Sequence, residues 1–290
     1  MLFVVATLAF FLARFAPGGP FDEERALPPE VKAQIDAHYG LDKPLGVQYA
    51  LFLKNLAHGN LGPSYKYLGW NVDELIADRV PTSLALGAGA LVVALAVGIP
   101  LGAIAAMKPN SWLDRIPTGI ATLGICLPTF VVGPLLVLIF ANGLGWFNAS
   151  GWNSPRDFVL PAVTLGLSYA AAVARLMRTS MLEIRSADYM KTAKAKGLSP
   201  ARIYFVHGLR NALVSVVTYV GPTAAGLVSG SFVVESMFNV PGLGQFFVKA
   251  AFNRDFTMIV GTVLFYAAVL VVLNLVVEIV LVKINPRLEK

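Results

Sequence analysis

Arg178-Thr-Ser-Met-Leu-Glu-Ile-Arg-Ser-Ala-Asp-Tyr-Met-Lys-Thr-Ala-Lys-Ala-Lys-Gly-Leu-Ser-Pro-Ala-Arg-Ile-Tyr-Phe-Val-His-Gly-Leu-Arg-Asn-Ala-Leu213 is a basic island in an otherwise apolar chain. Eight cations (Arg175, Arg178, Arg185, Lys191, Lys194, Lys196, Arg202, Arg210) stand against two acids, Glu183 and Asp188, with long apolar stretches on either side. A polar segment between two such stretches cannot sit in lipid, and basic loops are retained on the cytoplasmic face. Ser186 is placed to cap a helix from Ala187 to Lys196, whose lysines lie near its negative C-terminal end. Gly197 suits the left-handed position that closes a helix. Ser199 as cap and Pro200 at the first helical position then restart one. The expectation is a helix, a Gly197-Leu198 turn, and a second helix running into the next apolar stretch. Ala193 and Ala195 would leave a low-relief surface beside the turn, able to slot into a groove of a soluble partner. The plainer reading is a basic loop that only fixes topology.

Working outward, the 290 residues are 56% hydrophobic and 14% charged, where a soluble domain carries about 25% charged residues. Mean hydropathy is +0.67. The charge deficit is concentrated in stretches of membrane-spanning length, so the chain reads as an all-α polytopic membrane protein in contact with lipid. The net charge of +6 sits in short loops between spans, which argues against a nucleic-acid partner. Cys126, the single cysteine, excludes an internal disulfide or a thiolate metal site. The first apolar run is preceded by no basic residue and ends at Phe15-Ala16-Pro17-Gly18-Gly19-Pro20 without a small-x-small site, unlike a cleavable signal peptide.

Six apolar segments can be drawn, at 1–16, 82–107, 112–141, 158–176, 212–234 and 257–282. A crossing needs about 20 residues, which the last five satisfy. The first reaches only ~24 Å at 1.5 Å per residue, so a native start roughly 10–20 residues upstream is expected, with a short tilted span as the alternative. Lys108 and Arg115 mark the 2–3 loop, the island at 178–211 the 4–5 loop, and Lys283, Arg287 and Lys290 the C-terminus. The 3–4 loop holds only Arg156 against Asp157, and the 5–6 loop balances Lys249 and Arg254 against Glu235 and Asp255. Both termini are therefore placed in the cytoplasm. The 17–79 loop is then extracytoplasmic. Pro28-Pro29-Glu30 can start a short helix there. Tyr49, Phe52, Leu53 and Leu56 recur at amphipathic spacing before His58-Gly59-Asn60-Leu61-Gly62 ends a second one. Glycine and proline in the spans (Gly98, Pro100, Gly102, Pro128, Pro134, Gly221, Pro222) read as close packing and kinks, or as helices along a substrate path.

Lys191-Thr192-Ala193, three residues, Gly197 resembles the loop signature of permease subunits of binding-protein-dependent ABC importers: Glu-Ala-Ala, three residues, Gly, nine residues, Ile-x-Leu-Pro. Here Lys191 replaces Glu, Thr192 the first Ala, His207 the Ile and Arg210 the Pro. These departures resemble the dipeptide, oligopeptide and nickel branch. So do Arg14 to Pro20, Tyr39 to Pro44, Gln48-Tyr49, Gly59 to Gly62, Val234-Glu235, Pro241 to Gly244, Asn253 to Asp255 and Asn285-Pro286-Arg287, which match its first permease type in order along the chain. The resemblance implies a type I importer permease in the bacterial or archaeal plasma (inner) membrane, forming half of a pore for di- or oligopeptides. It implies a second homologous permease, two cytoplasmic ATPase subunits and an extracytoplasmic solute-binding protein as partners. Lys191, Thr192, Ala193, Ala195, Lys196, Gly197 and Leu198 would then form the ATPase-coupling loop. Glu235, Pro241, Gly242, Gly244, Arg254 and Asp255 would form the extracytoplasmic mouth.

No Gly-x-x-x-x-Gly-Lys-Ser/Thr phosphate loop occurs, so ATP would be used by the partners and no cofactor or metal by this chain. A nickel importer of the same branch is the nearest alternative in cargo. A proton- or sodium-driven carrier needs ionisable groups at mid-membrane, and Glu278, near the end of the sixth segment beside Lys283, serves poorly. An intramembrane enzyme is unsupported: His38, His58 and His207 lie in extramembrane segments on opposite sides, and no catalytic motif is present, so the chain is read as no enzyme.

Overall fold

The computed structural model describes residues 1–16 and 29–284. Pro17 to Pro20, Pro28, and the terminal Asn285-Pro286-Arg287 with Lys290 lie outside the described residues. In chain order the helices are α1 (Leu2–Phe15), α2 (Pro29–Tyr39), α3 (Leu45–Ala57), α4 (Val72–Met107), α5 (Trp112–Cys126), α6 (Thr129–Leu136), α7 (Pro155–Arg185), α8 (Asp188–Ala195), α9 (Pro200–Arg202), α10 (Leu209–Ser229), α11 (Phe232–Met237), α12 (Leu243–Phe252) and α13 (Phe256–Ile284). Two π-helical segments, Val137–Gly143 and Ile203–Gly208, extend α6 and lead into α10. Among the described residues the extended structure is one isolated bridge, Pro63 to Asn71. The all-α class expected from the sequence is observed.

The chain divides into two compact units, Met1–Thr82 with Pro241–Ala268, and Ser83–Val240 with Val269–Lys290. In the first, Ala6 and Phe10 of α1 pack with Val260 and Leu264 of α13, and Phe52 and Leu56 of α3 close over them. The Phe10 and Phe52 rings stack at 5.1 Å. This is the apolar face that the Tyr49, Phe52, Leu53, Leu56 spacing describes, and the helix stops at Ala57 with Gly59 at φ +75°. Val72, Leu75 and Ile76 pack against Leu243, Ala250 and Met258.

In the second unit small residues let backbones cross closely. A Cβ on Gly98 would lie 2.6 Å from the Ala170 carbonyl, and one on Gly166 2.6 Å from that of Ala90, so α4 and α7 meet nearly backbone to backbone. Lipid offers no hydrophobic drive between helices, and such close van der Waals contact replaces it. Leu86, Leu160, Leu165, Leu227 and Phe238 fill the adjoining core.

Helix extents depart from the apolar segments. α4 begins at Val72, not at residue 82: Asp73 and Glu74 suit its positive N-terminal end, and Glu74 accepts the Asn71 amide at 3.2 Å. α7 runs to Arg185, past the expected end at residue 176, so Arg175 and Arg178 belong to a rigid helix and not to a loop. Its start is a capping box between Ser154 and Asp157. The third segment is not one straight span. It breaks at Leu127-Pro128, and the two halves are bent by 109°. Pro128 has no N–H to donate and forces Leu127 into extended geometry (φ −84°, ψ 119°). Among the described residues four helical stretches are long and apolar enough to cross a membrane, and the bent pair makes a fifth if counted as one; α1, at 14 residues, is shorter.

Candidate functional site

The island folds as a helix end, a short helix and a turn. Ser186 does not cap α8. It ends α7, donating its hydroxyl to the Glu183 carbonyl at 2.8 Å, and the extended Ala187 (ψ 146°) stands before α8. A serine at this boundary can serve either helix, and here the preceding one takes it. At the far end Gly197, at φ +76°, donates to the Lys194 carbonyl (3.0 Å), while Leu198 donates to that of Ala193 (3.3 Å). Together these bonds make a Schellman motif. The Arg202 amide reaches Ser199 Oγ at 3.4 Å, so Ser199 caps the restarted helix.

α8 has two faces. Met190 and Ala193 are buried, beside Gly208 in the case of Met190. Lys191, Thr192, Lys194, Ala195, Lys196 and Gly197 are exposed, and Leu198 is half-buried. The expected pair of alanines therefore separates. Ala193 is turned inward because it falls on the face of Met190, and Ala195 alone remains on the outside. Lys191 pairs with Asp188 at 2.8 Å in full solvent exposure, a contact worth little.

The helices around α8 are cross-braced. Arg178 of α7 grips Asp114 of α5 with two bonds, Nε to Oδ1 at 2.6 Å and Nη2 to Oδ2 at 2.8 Å. Asp114 is 4% exposed and accepts further bonds from the Asn110 amide (2.8 Å) and Thr118 Oγ1 (3.1 Å). Tyr204, nine residues beyond α8, donates its hydroxyl to the Ala103 carbonyl of α4. Asn211 donates to the Tyr189 hydroxyl at 3.0 Å. A groove of about 800 Å³ opens here, lined by Glu183, Tyr189, His207, Arg210 and Asn211. Asp114 and Tyr204 were missed by the sequence reading. Asp114 could have been found, as an acid three residues into an apolar segment; nothing in the sequence marks Tyr204.

The mouth residues divide between the two units. Glu235 is fully buried, and its Oε1 accepts from Ser83 Oγ (2.8 Å) and Ser231 Oγ (2.6 Å). In the other unit Asp255 is 1% exposed and caps α13: its Oδ1 accepts from the Met258 amide at 3.1 Å, and its Oδ2 from the Ser64 hydroxyl. Ser64 Oγ in turn accepts the Tyr67 amide at 2.9 Å. Ser64, two residues beyond Gly62, and Asp255 thus form one buried latch. Nearby, Arg14 donates to the Tyr65 hydroxyl at 3.2 Å; burial raises that phenol above its ordinary range, against the lowering pull of Arg14. Gly242 and Gly244 are buried, and Pro241 and Arg254 half-buried, with Arg254 at φ +53°. Both acids are spent on internal bonds, because a buried carboxylate must find donors.

The family described as binding-protein-dependent transport system inner membrane component matches residues 98–290. The chain belongs to this family. Among its relatives, the oligopeptide transport system permease protein OppB of Haemophilus influenzae is 44% identical over 290 residues, covering 99% of this chain and 95% of the relative. The dipeptide transport system permease protein DppB of Bacillus subtilis is 40% identical over 288 residues, covering 99% and 94%. A chain of the inward-facing MetNI methionine ABC transporter superposes with a TM-score of 0.61 at 19% identity, over 73% of this chain and 96% of that one. At that identity the likeness speaks for fold alone, and the fold is the type I importer permease fold. As a member of this inner-membrane family, the chain is a multi-pass plasma-membrane transport subunit.

Proposed function

We propose that this permease forms half of the translocation pore of an ATP-driven importer of di- or oligopeptides delivered by a solute-binding protein. The observation that carries the reading is identity of 40–44% over essentially the whole chain to permeases named for oligopeptide and dipeptide transport. A second, homologous permease completes the pore, and two cytoplasmic ATPases supply the energy. Six spans, counting α1 and taking α5 with α6 as one crossing, leave both termini on one side, and the basic loops support the cytoplasmic one. The outer face of α8 with the Gly197-Leu198 turn docks an ATPase. Hydrolysis then moves the helices that α8 joins.

The test is uptake by the complex purified through this chain and reconstituted in vesicles. Labelled peptide should enter only when ATP, the ATPases and the binding protein are all present. Uptake driven by an ion gradient without ATP would overturn the reading, and uptake of nickel in place of peptide would overturn the cargo.

A further inference from the structure

The coupling role of α8 rests on the importer reading, but the route by which α8 would move the rest of the protein is open. Its two shoulders end on the same place. Upstream, Arg178 lies seven residues, about 10 Å of helix, before the end of α7, and its guanidinium fork closes on Asp114 in the first turn of α5. Downstream, Tyr204 bonds the Ala103 carbonyl in the last turns of α4. Between them Met177, Met181, Ala103, Ala106 and Ala212 share one buried cluster. The α4–α5 turn is itself held stiffly: Asn110 sits at φ +63°, its amide bonds Asp114, and Ser111 Oγ donates to the Lys108 carbonyl at 2.6 Å. A four-donor carboxylate that is nearly inaccessible to water keeps its geometry, because each donor would otherwise be stranded.

We propose that the α4–α5 turn is the receiver of the coupling motion. Asp114 and Arg178 are positioning residues that make α8 and this turn move as one body, with the Tyr204 hydroxyl as a second brace. What the turn receives it passes into α5, the near arm of the bend at Leu127-Pro128.

Nitroxide labels on Lys108→Cys and Lys194→Cys, in a Cys126→Ser background, read the distance between turn and coupling element. The expected result is a single narrow distance that nucleotide does not shift, and a broadened one in Arg178→Lys, which keeps the charge but loses the fork. In the same complexes, Arg178→Lys and Tyr204→Phe should assemble with the ATPases and hydrolyse ATP. The ATP consumed per peptide imported should rise about fivefold or more, the scale of an ordinary coupling free energy. A distance that shifts with nucleotide in the otherwise intact protein overturns the proposal. So does an unchanged ATP-to-peptide ratio, or loss of assembly in both variants, which would make the pair merely structural. If the unmodified complex imports no peptide, the importer reading alone fails, and broadening by Arg178→Lys still decides the clamp.

Discussion

Gly197 occupies open space. A Cβ there would meet nothing within 4 Å, and only φ +76° penalises a side chain. Valine would cost about 1–2 kcal/mol of backbone strain, whereas asparagine tolerates the left-handed region. Gly197→Val is therefore expected to depress binding-protein-stimulated ATP hydrolysis severalfold while the chain still inserts, and Gly197→Asn to stay near wild type. Equal behaviour of the two in a hydrolysis assay would show that strain at the turn is not what matters. This glycine was legible in the sequence, because a helix closing in αL asks for one residue type at one spacing. Ser186 was not, since a serine between two helices fits either end. Nor was the role of Asp255, whose partner Ser64 lies 191 residues away. Local grammar has no access to a hydrogen bond at that separation.

The two faces of α8 turn one idea about its surface into two outcomes. A carboxylate in Ala195→Glu lies outside and should release the ATPases on co-purification, leaving the melting temperature of the purified permease unchanged. In Ala193→Glu the same group is pushed against Met190 and the segment around Gly208. A lone buried charge is costly, so melting should fall by a few degrees as assembly is lost. Matching thermal stability in the two variants would refute the inward assignment of Ala193. The ends of α4 and α7 lie beyond the apolar segments for one physical reason. Hydropathy reports which residues suit lipid, whereas a helix continues as long as its backbone bonds close. Pro128 was noted as a kink, but a proline alone does not reveal whether a span tilts slightly or turns through 109°.

On the proposed topology, with both termini in the cytoplasm, the α11–α12 connection faces outward. Cysteine at Asn239, exposed but at φ +53°, and at exposed Ser236 should react with membrane-impermeant thiol reagents added outside intact cells. Labelling from the cytoplasmic face alone would reverse the topology. Membership and fold were readable from ordered motifs along the chain, because each fixes a local geometry. What the motifs do together was hidden. Asn253 to Asp255 looked like a mark of its own, yet Asp255 closes a latch with Ser64, two residues beyond Gly62. That latch sets a schedule for biosynthesis. At about 5–20 residues per second, roughly 10–40 s separate synthesis of the serine from that of its aspartate. Throughout that interval the segment around Ser64 lacks this fastening. A ribosome that stops short of Asp255 leaves a chain whose Ser64 lacks this carboxylate, so a late part of the chain certifies an early one.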